Sequence, residues 1–113
     1  MTRPTRYYSK KQETRTAKVL NSKVVVNSGA TLFDKGDVSN EHMLIECKTL
    51  AKPQETRTIH KDWFKTIEEE ALCSGKHFSA VVFDFGDGKD YVAVPIEQFK
   101  ELFECWRKEI DDR

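Results

Sequence analysis

The sequence predicts an α/β fold in which one mixed β-sheet is flanked by helices. Three observations carry this. Short β-branched or alternating apolar runs recur at 23–26, 37–38, 42–49, 78–85 and 90–94, as strands require. Longer stretches at 9–20, 58–74 and 95–110 place apolar residues at helical spacing. The resulting order, α-β-β-β-α-β-β-α, suits a single sheet with helices packed on it.

Taken in order, residues 1–8 read as a flexible basic arm containing Pro4, which leaves 9–113 as one domain. Ser9-Lys10-Lys11-Gln12 has the form of a capping box. The helix it opens places Glu13, Ala17 and Leu20 on one stripe. Residues 23–26 form a short strand, and 27–36, with two glycines, a loop. Segments 37–38 and 42–49 form a strand pair turning at Ser39-Asn40, and the polar stretch 50–57 with Pro53 reads as a mobile loop.

The second helix ends at Ser74, with Gly75 as its stop. Trp63, Ile67, Glu70, Ala71 and Ser74 share a face, with Trp63 assigned to the core. Gly86-Asp87-Gly88-Lys89 turns a hairpin, and Pro95 opens the last helix. There Phe99, Leu102, Phe103, Trp106 and Ile110 make a strong apolar stripe. Packing onto the sheet is its first reading and a dimer interface its second.

A length of 113 residues leaves room for one domain. Hydrophobic residues at 38% and charged residues at 34% suit a small globule with a thin core. No window approaches the roughly 20 apolar residues of a membrane span, and the N-terminus lacks a secretory signal's apolar segment. Cys47, Cys73 and Cys105 are widely separated. They read as free thiols in a reducing cytoplasm, without a zinc site. Cys47 alternates away from its neighbours' face and reads as core.

Net charge is zero, but residues 1–23 hold seven basic residues against Glu13 alone. Such a polarised end suits a phosphate backbone. Lys10, Lys11 and Arg15, with Lys61 at the second helix, are the candidate DNA contacts.

The chemistry-bearing pattern is Asp37 followed nine residues later by Glu46-Cys47-Lys48. Strand alternation puts Glu46 and Lys48 on one face, about 7 Å apart, and a hairpin return brings Asp37 alongside. Two carboxylates and an ammonium on one patch suit a hard divalent cation beside a charge-stabilising group. That combination points to metal-assisted phosphodiester hydrolysis. A carboxylate on the buried stripe of the first helix needs a partner. Glu13 finds one in a shared metal or Lys48, or else is a solvated residue paired with Lys10 or Lys18.

This pattern resembles the PD-(D/E)XK nuclease superfamily, in particular its small, phage-type Holliday-junction-resolvase-like members. The resemblance is carried by Asp37…Glu46-x-Lys48, Ser28-Gly29-Ala30, Lys35-Gly36-Asp37-Val38, Glu13 and the helix holding Asp62-Trp63 and Glu70-Ala71. It runs from about Ser9 to Phe99. Gly36 stands where the superfamily's name has proline.

The resemblance implies a restriction-endonuclease-like fold and a Mg²⁺-dependent DNA endonuclease, with Mn²⁺ able to substitute. It implies Asp37, Glu46, the Cys47 carbonyl and Glu13 as metal ligands and Lys48 as the catalytic amine. It further implies Ser28, beside Gly29, as a phosphate contact, although a turn-forming Ser-Gly explains the pair equally well. Resolvases need two sites on a two-fold substrate, so a homodimer acting on branched DNA is expected. Two readings compete: a nicking, restriction-like or repair nuclease acting on linear duplex, and a DNA-binding accessory module with little activity.

Overall fold

The computed structural model describes residues 3–26 and 36–113. The loop positions predicted at 27–35, Ser28 and Gly29 among them, lie outside the described residues. The elements are α1 (Thr5–Val19), β1 (Lys23–Val24), β2 (Val38–Ser39), β3 (Met43–Lys48), α2 (Lys61–Cys73), β4 (Phe78–Phe83), β5 (Tyr91–Ala93) and α3 (Ile96–Asp111). Their order is the predicted one. They form an α/β architecture of three helices and one five-stranded mixed sheet, with strands side by side in chain order.

The pairs β1–β2, β2–β3 and β4–β5 are antiparallel. β3 and β4 run parallel, from Met43 opposite Phe78 to Lys48 opposite Phe83. A parallel pair needs a crossover, and α2 supplies it. The carboxyl ends of both strands therefore open on the same edge, with Lys48 and Thr49 beside Phe83 and Asp84.

Strand alternation sorts the core into two layers. Ala17 of α1 packs with Val38, Ile45, Ala80 and Val82, flanked by Cys47 and Leu20. Ile67 and Ala71 of α2 pack with Leu44 and Val81, flanked by Trp63 and Phe64. Cys47 thus faces α1, and its neighbours Glu46 and Lys48 take the α2 face of β3, as alternation requires.

Several local expectations are corrected. α1 starts at Thr5, not after Ser9. Pro4 takes the N-cap with φ −59°, and Tyr7 N–H bonds its carbonyl. Proline's fixed φ is pre-organised for a helix start, so positions 5–8 form the first turn rather than part of a loose arm. The Ser9 hydroxyl donates back to Thr5 O within the helix. Residues 50–57, read as mobile, are tied down. Gln54 N–H donates to Phe85 O, and Arg57 Nη1 donates to Asp84 O at 2.6 Å and to Lys48 O at 3.2 Å. Gly75 ends α2 as expected, with φ +69° and Lys76 N–H bonded to Ala71 O.

The largest departure is α3. Its stripe does not pack on the sheet, and none of its residues is buried. It is anchored mainly near its start. The Gln98 amide accepts from Ser79 N–H at 2.9 Å and donates to Ser79 O at 2.7 Å. This occupies the edge of β4 where β5 has ended. His77 also meets Glu101 at 2.9 Å. No described helix is long and apolar enough to cross a membrane.

Candidate active site

The site is built on β3 and the chain entering β2. Gly36 has φ +81°, and a Cβ there would lie 2.8 Å from the Leu44 side chain. Only glycine fits. Proline, locked near −65°, is barred. The turn through Gly36 presents Asp37 to β3. Asp37 N–H bonds Ile45 O at 2.8 Å, and its Oδ2 accepts the Cys47 N–H at 2.8 Å.

Fixed this way, Asp37 meets Glu46 carboxyl to carboxyl. The Glu46 pKa is raised to about 7, first by burial, then by the charge of Asp37 and a hydrogen bond between the two groups. Lys48 opposes the shift, its Nζ standing 3.4 Å from Glu46 Oε1. The Lys48 ammonium also lies 5.3 Å from the Trp63 ring, within cation–π range. Trp63 serves the α2 core and this lysine together.

Glu13 reaches the same patch from α1. Burial is the main cause of its raised pKa, and the charge of Asp37 is next; Arg6 and Lys10 act in the opposite sense. The three predicted acids therefore share one electrostatic neighbourhood. Among the described residues, however, no group of three or more His, Cys, Asp and Glu side chains is spaced to hold a metal ion. The tight contact is the Asp37–Glu46 pair. Burial strongly raises the Cys47 thiol's pKa, and its Sγ lies 3.8 Å from Thr16 Oγ1, in keeping with a core role.

Beneath the pair lies a polar network that the sequence reading missed. Gln12 is fully buried, and its Nε2 donates to Lys48 O at 3.0 Å and to Asp90 Oδ1 at 3.3 Å. Asp84, 1% exposed, accepts from the Thr49 hydroxyl, from Leu50 N–H and Gly86 N–H, and from Arg15. Arg15 Nε also holds Asp90 at 2.9 Å. That residue, expected as a DNA contact, is engaged by two aspartates. Arg57 lies 5.5 Å from the Trp63 ring and 5.8 Å from Phe83. The Lys48 carbonyl thus has donors from α1 and from the 50–57 loop, which hold the end of β3 in place. The only sequence trace of this network is an acid, Asp84, directly after a mostly apolar strand and two residues before a glycine.

The remaining predicted contacts are dispersed. Lys10 and Lys11 are exposed on α1, and Lys61 is exposed at the first position of α2. Glu70 is half-buried, and among the described residues its buried Oε2 has no hydrogen-bond partner.

No family model, curated protein or solved structure matches this chain.

Proposed function

We propose that this protein is a Mg²⁺-dependent DNA endonuclease of restriction-endonuclease-like fold, structure-selective for branched DNA and acting as a homodimer. The single observation that supports it is the Asp37–Glu46 carboxyl pair with the Lys48 ammonium 3.4 Å from Glu46.

The residues present fit a divalent cation. Two adjoining carboxyls, one lifted to about 7, face a single lysine. Ionising both leaves a surplus negative charge that a cation would neutralise. Mg²⁺ is commonly held by one or two carboxylates and keeps several waters, so a third acidic side chain is not required. Asp37, Glu46 and the Cys47 carbonyl would hold it, with Glu13 contributing charge from α1. When bound, the ion would polarise the phosphate and acidify a coordinated water.

The chain's own residues supply the rest. The Lys48 ammonium offsets charge developing on the phosphate oxygens. Trp63 limits the arc over which that ammonium swings. Gln12 and Arg57, bonded to the Lys48 carbonyl, keep the strand end from drifting away from Asp37. Lys10, Lys11 and Lys61 lie on exposed surface that a phosphate backbone can approach.

The test is a panel of four-way junction, flap, nicked and linear duplex DNA, incubated with Mg²⁺, Mn²⁺ or EDTA. Cutting should need metal and favour branched substrates. Glu46→Ala and Lys48→Ala should each lower it by about 100-fold or more, while DNA affinity in EDTA changes by less than about 3-fold. Binding without metal-dependent cutting would instead identify an accessory module, and preferred cutting of linear duplex would move the assignment to the nicking or repair class.

A further inference from the structure

Outside the carboxyl ends of parallel β3 and β4 lies a crevice of about 390 Å³ that the cleavage chemistry does not use. Its walls include Arg3, Tyr7, Tyr8 and Lys11 on one side and Thr49 and Gly86 on the other. Thr49 directly follows Lys48, so the crevice and the Lys48 side chain share one edge of the sheet, the crevice on its α1 face and the lysine on its α2 face.

The lining is ordered by contacts of its own. The Arg3 guanidinium lies 4.4 Å from the Tyr7 ring centroid and the Lys11 ammonium 4.9 Å. A hydrogen bond with Lys11 is also the main cause of the lowered Tyr7 pKa. Tyr7 therefore gathers two cations, and among the described residues neither is ion-paired to a carboxylate. Tyr8 stands edge-on to Tyr7 at 5.2 Å and is half-buried in the wall. The one acid in the lining, Asp84, is buried and already engaged by Thr49, Gly86 and Arg15. Its charge is turned inward.

We propose that this crevice is a second nucleic-acid subsite, which takes one unpaired nucleotide of a substrate that passes over the shared sheet edge. Arg3 and Lys11 hold its phosphate and Tyr8 stacks on its base. The volume lies near the lower end for ligand pockets. It suits a single nucleotide and excludes a duplex. Aromatic stacking with neighbouring cations is how single strands are held without sequence preference. This inference rests on the nuclease reading and gives it a source of branch selectivity, since a branch point offers an unpaired base that intact duplex lacks.

The experiment measures binding in EDTA by fluorescence anisotropy. It compares a duplex bearing a short single-stranded flap with a flush duplex of the same sequence. The wild-type protein should prefer the flap. Tyr8→Ala should lower flap affinity about 10-fold and flush-duplex affinity less than about 2-fold, and Tyr8→Phe should restore the preference. Arg3→Ala combined with Lys11→Ala should weaken both and flatten the dependence of log K on log salt by about 2. Equal melting temperatures exclude misfolding as the cause.

Flap affinity unchanged in Tyr8→Ala, or lost equally for both DNAs, overturns the subsite. So does displacement of the flap by free thymidine monophosphate at micromolar concentration, which would make this a small-nucleotide pocket. Cutting without Tyr8-dependent preference removes the subsite alone, whereas Tyr8-dependent preference without metal-dependent cutting removes the nuclease reading and keeps the subsite.

Discussion

Glu46 sits at 23% side-chain exposure beside Asp37, and its protonation state ties the site to stability. Its folded pKa of about 7 lies above the ordinary 4.5, so the fold binds its proton more tightly than the unfolded chain does. The stabilisation from that proton is full below about pH 4.5 and is lost as pH rises through 7. For the metal-free protein this amounts to about 2 kcal/mol, allowing for partial exposure and coupling to Asp37. Thermal melts should show Tm falling between pH 5 and 8. Glu46→Gln should abolish most of that slope and raise Tm at pH 8, and Mg²⁺ should raise wild-type Tm more at pH 8 than at pH 5. A slope that survives Glu46→Gln would mean that another group is titrating. Asp37, Glu46 and Lys48 were legible in the sequence because the last two share a strand, where a two-residue step keeps one face, and a short return brings in the first. Gln12, Asp84 and Arg57 were not. Each is one polar residue among many in its own segment, and its role appears only when α1, the end of β4 and the 50–57 loop meet.

Elements tell a similar story of local signals and long-range surprises. Gly75 ended α2 where expected because a helix stop is local chemistry. The 50–57 loop was misread because its order comes from bonds to the far end of β4, not from its own composition. Gly86 is the pivot of that contact, with φ +83° and a position where a Cβ would collide with the Lys52 carbonyl. Gly88, at φ +81°, has nothing within 4 Å. The two therefore separate backbone strain from collision. Gly88→Ala should cost about 1–2 kcal/mol from the left-handed conformation alone. Gly86→Ala should cost at least about 1 kcal/mol more, since the loop must also move. Urea unfolding of both variants checks this. Because the displaced loop carries Arg57 away from the Lys48 carbonyl, Gly86→Ala should also slow the proposed cleavage by more than Gly88→Ala does. Equal stability for the two variants would show that the loop is not clamped as described.

At the scale of the whole molecule, α3 leaves an apolar surface open. Ile96, Phe99, Phe103, Trp106 and Ile110 alternate three and four residues apart, the spacing of a helix-pairing seam. Phe99 and Trp106 are each 58% exposed, and Phe103 stacks between them. The molecule is elongated, 54 × 35 × 26 Å. Half-exposed side chains of this size present roughly 400–600 Å² of apolar area, at or above the largest patch usual on a monomer. A standard interface buries about 800 Å² per partner, which the stripe and its polar margins approach. A second copy paired through α3 is the proposed cover, and it would relate two copies of the proposed cutting site by two-fold symmetry. Light scattering after size exclusion should find a dimer at micromolar concentration, and Phe103→Glu with Trp106→Glu should give a monomer. Because α3 contributes no buried residue to the single chain, the variant should retain the sheet and its α2 packing. Its melting temperature should lose only the increment that came from association. If the dimer sets substrate choice, the monomer should nick one strand of a four-way junction and release it, where the dimer cuts both strands in one encounter. A wild-type monomer that still makes paired cuts would break the link between the apolar stripe and two-fold cleavage.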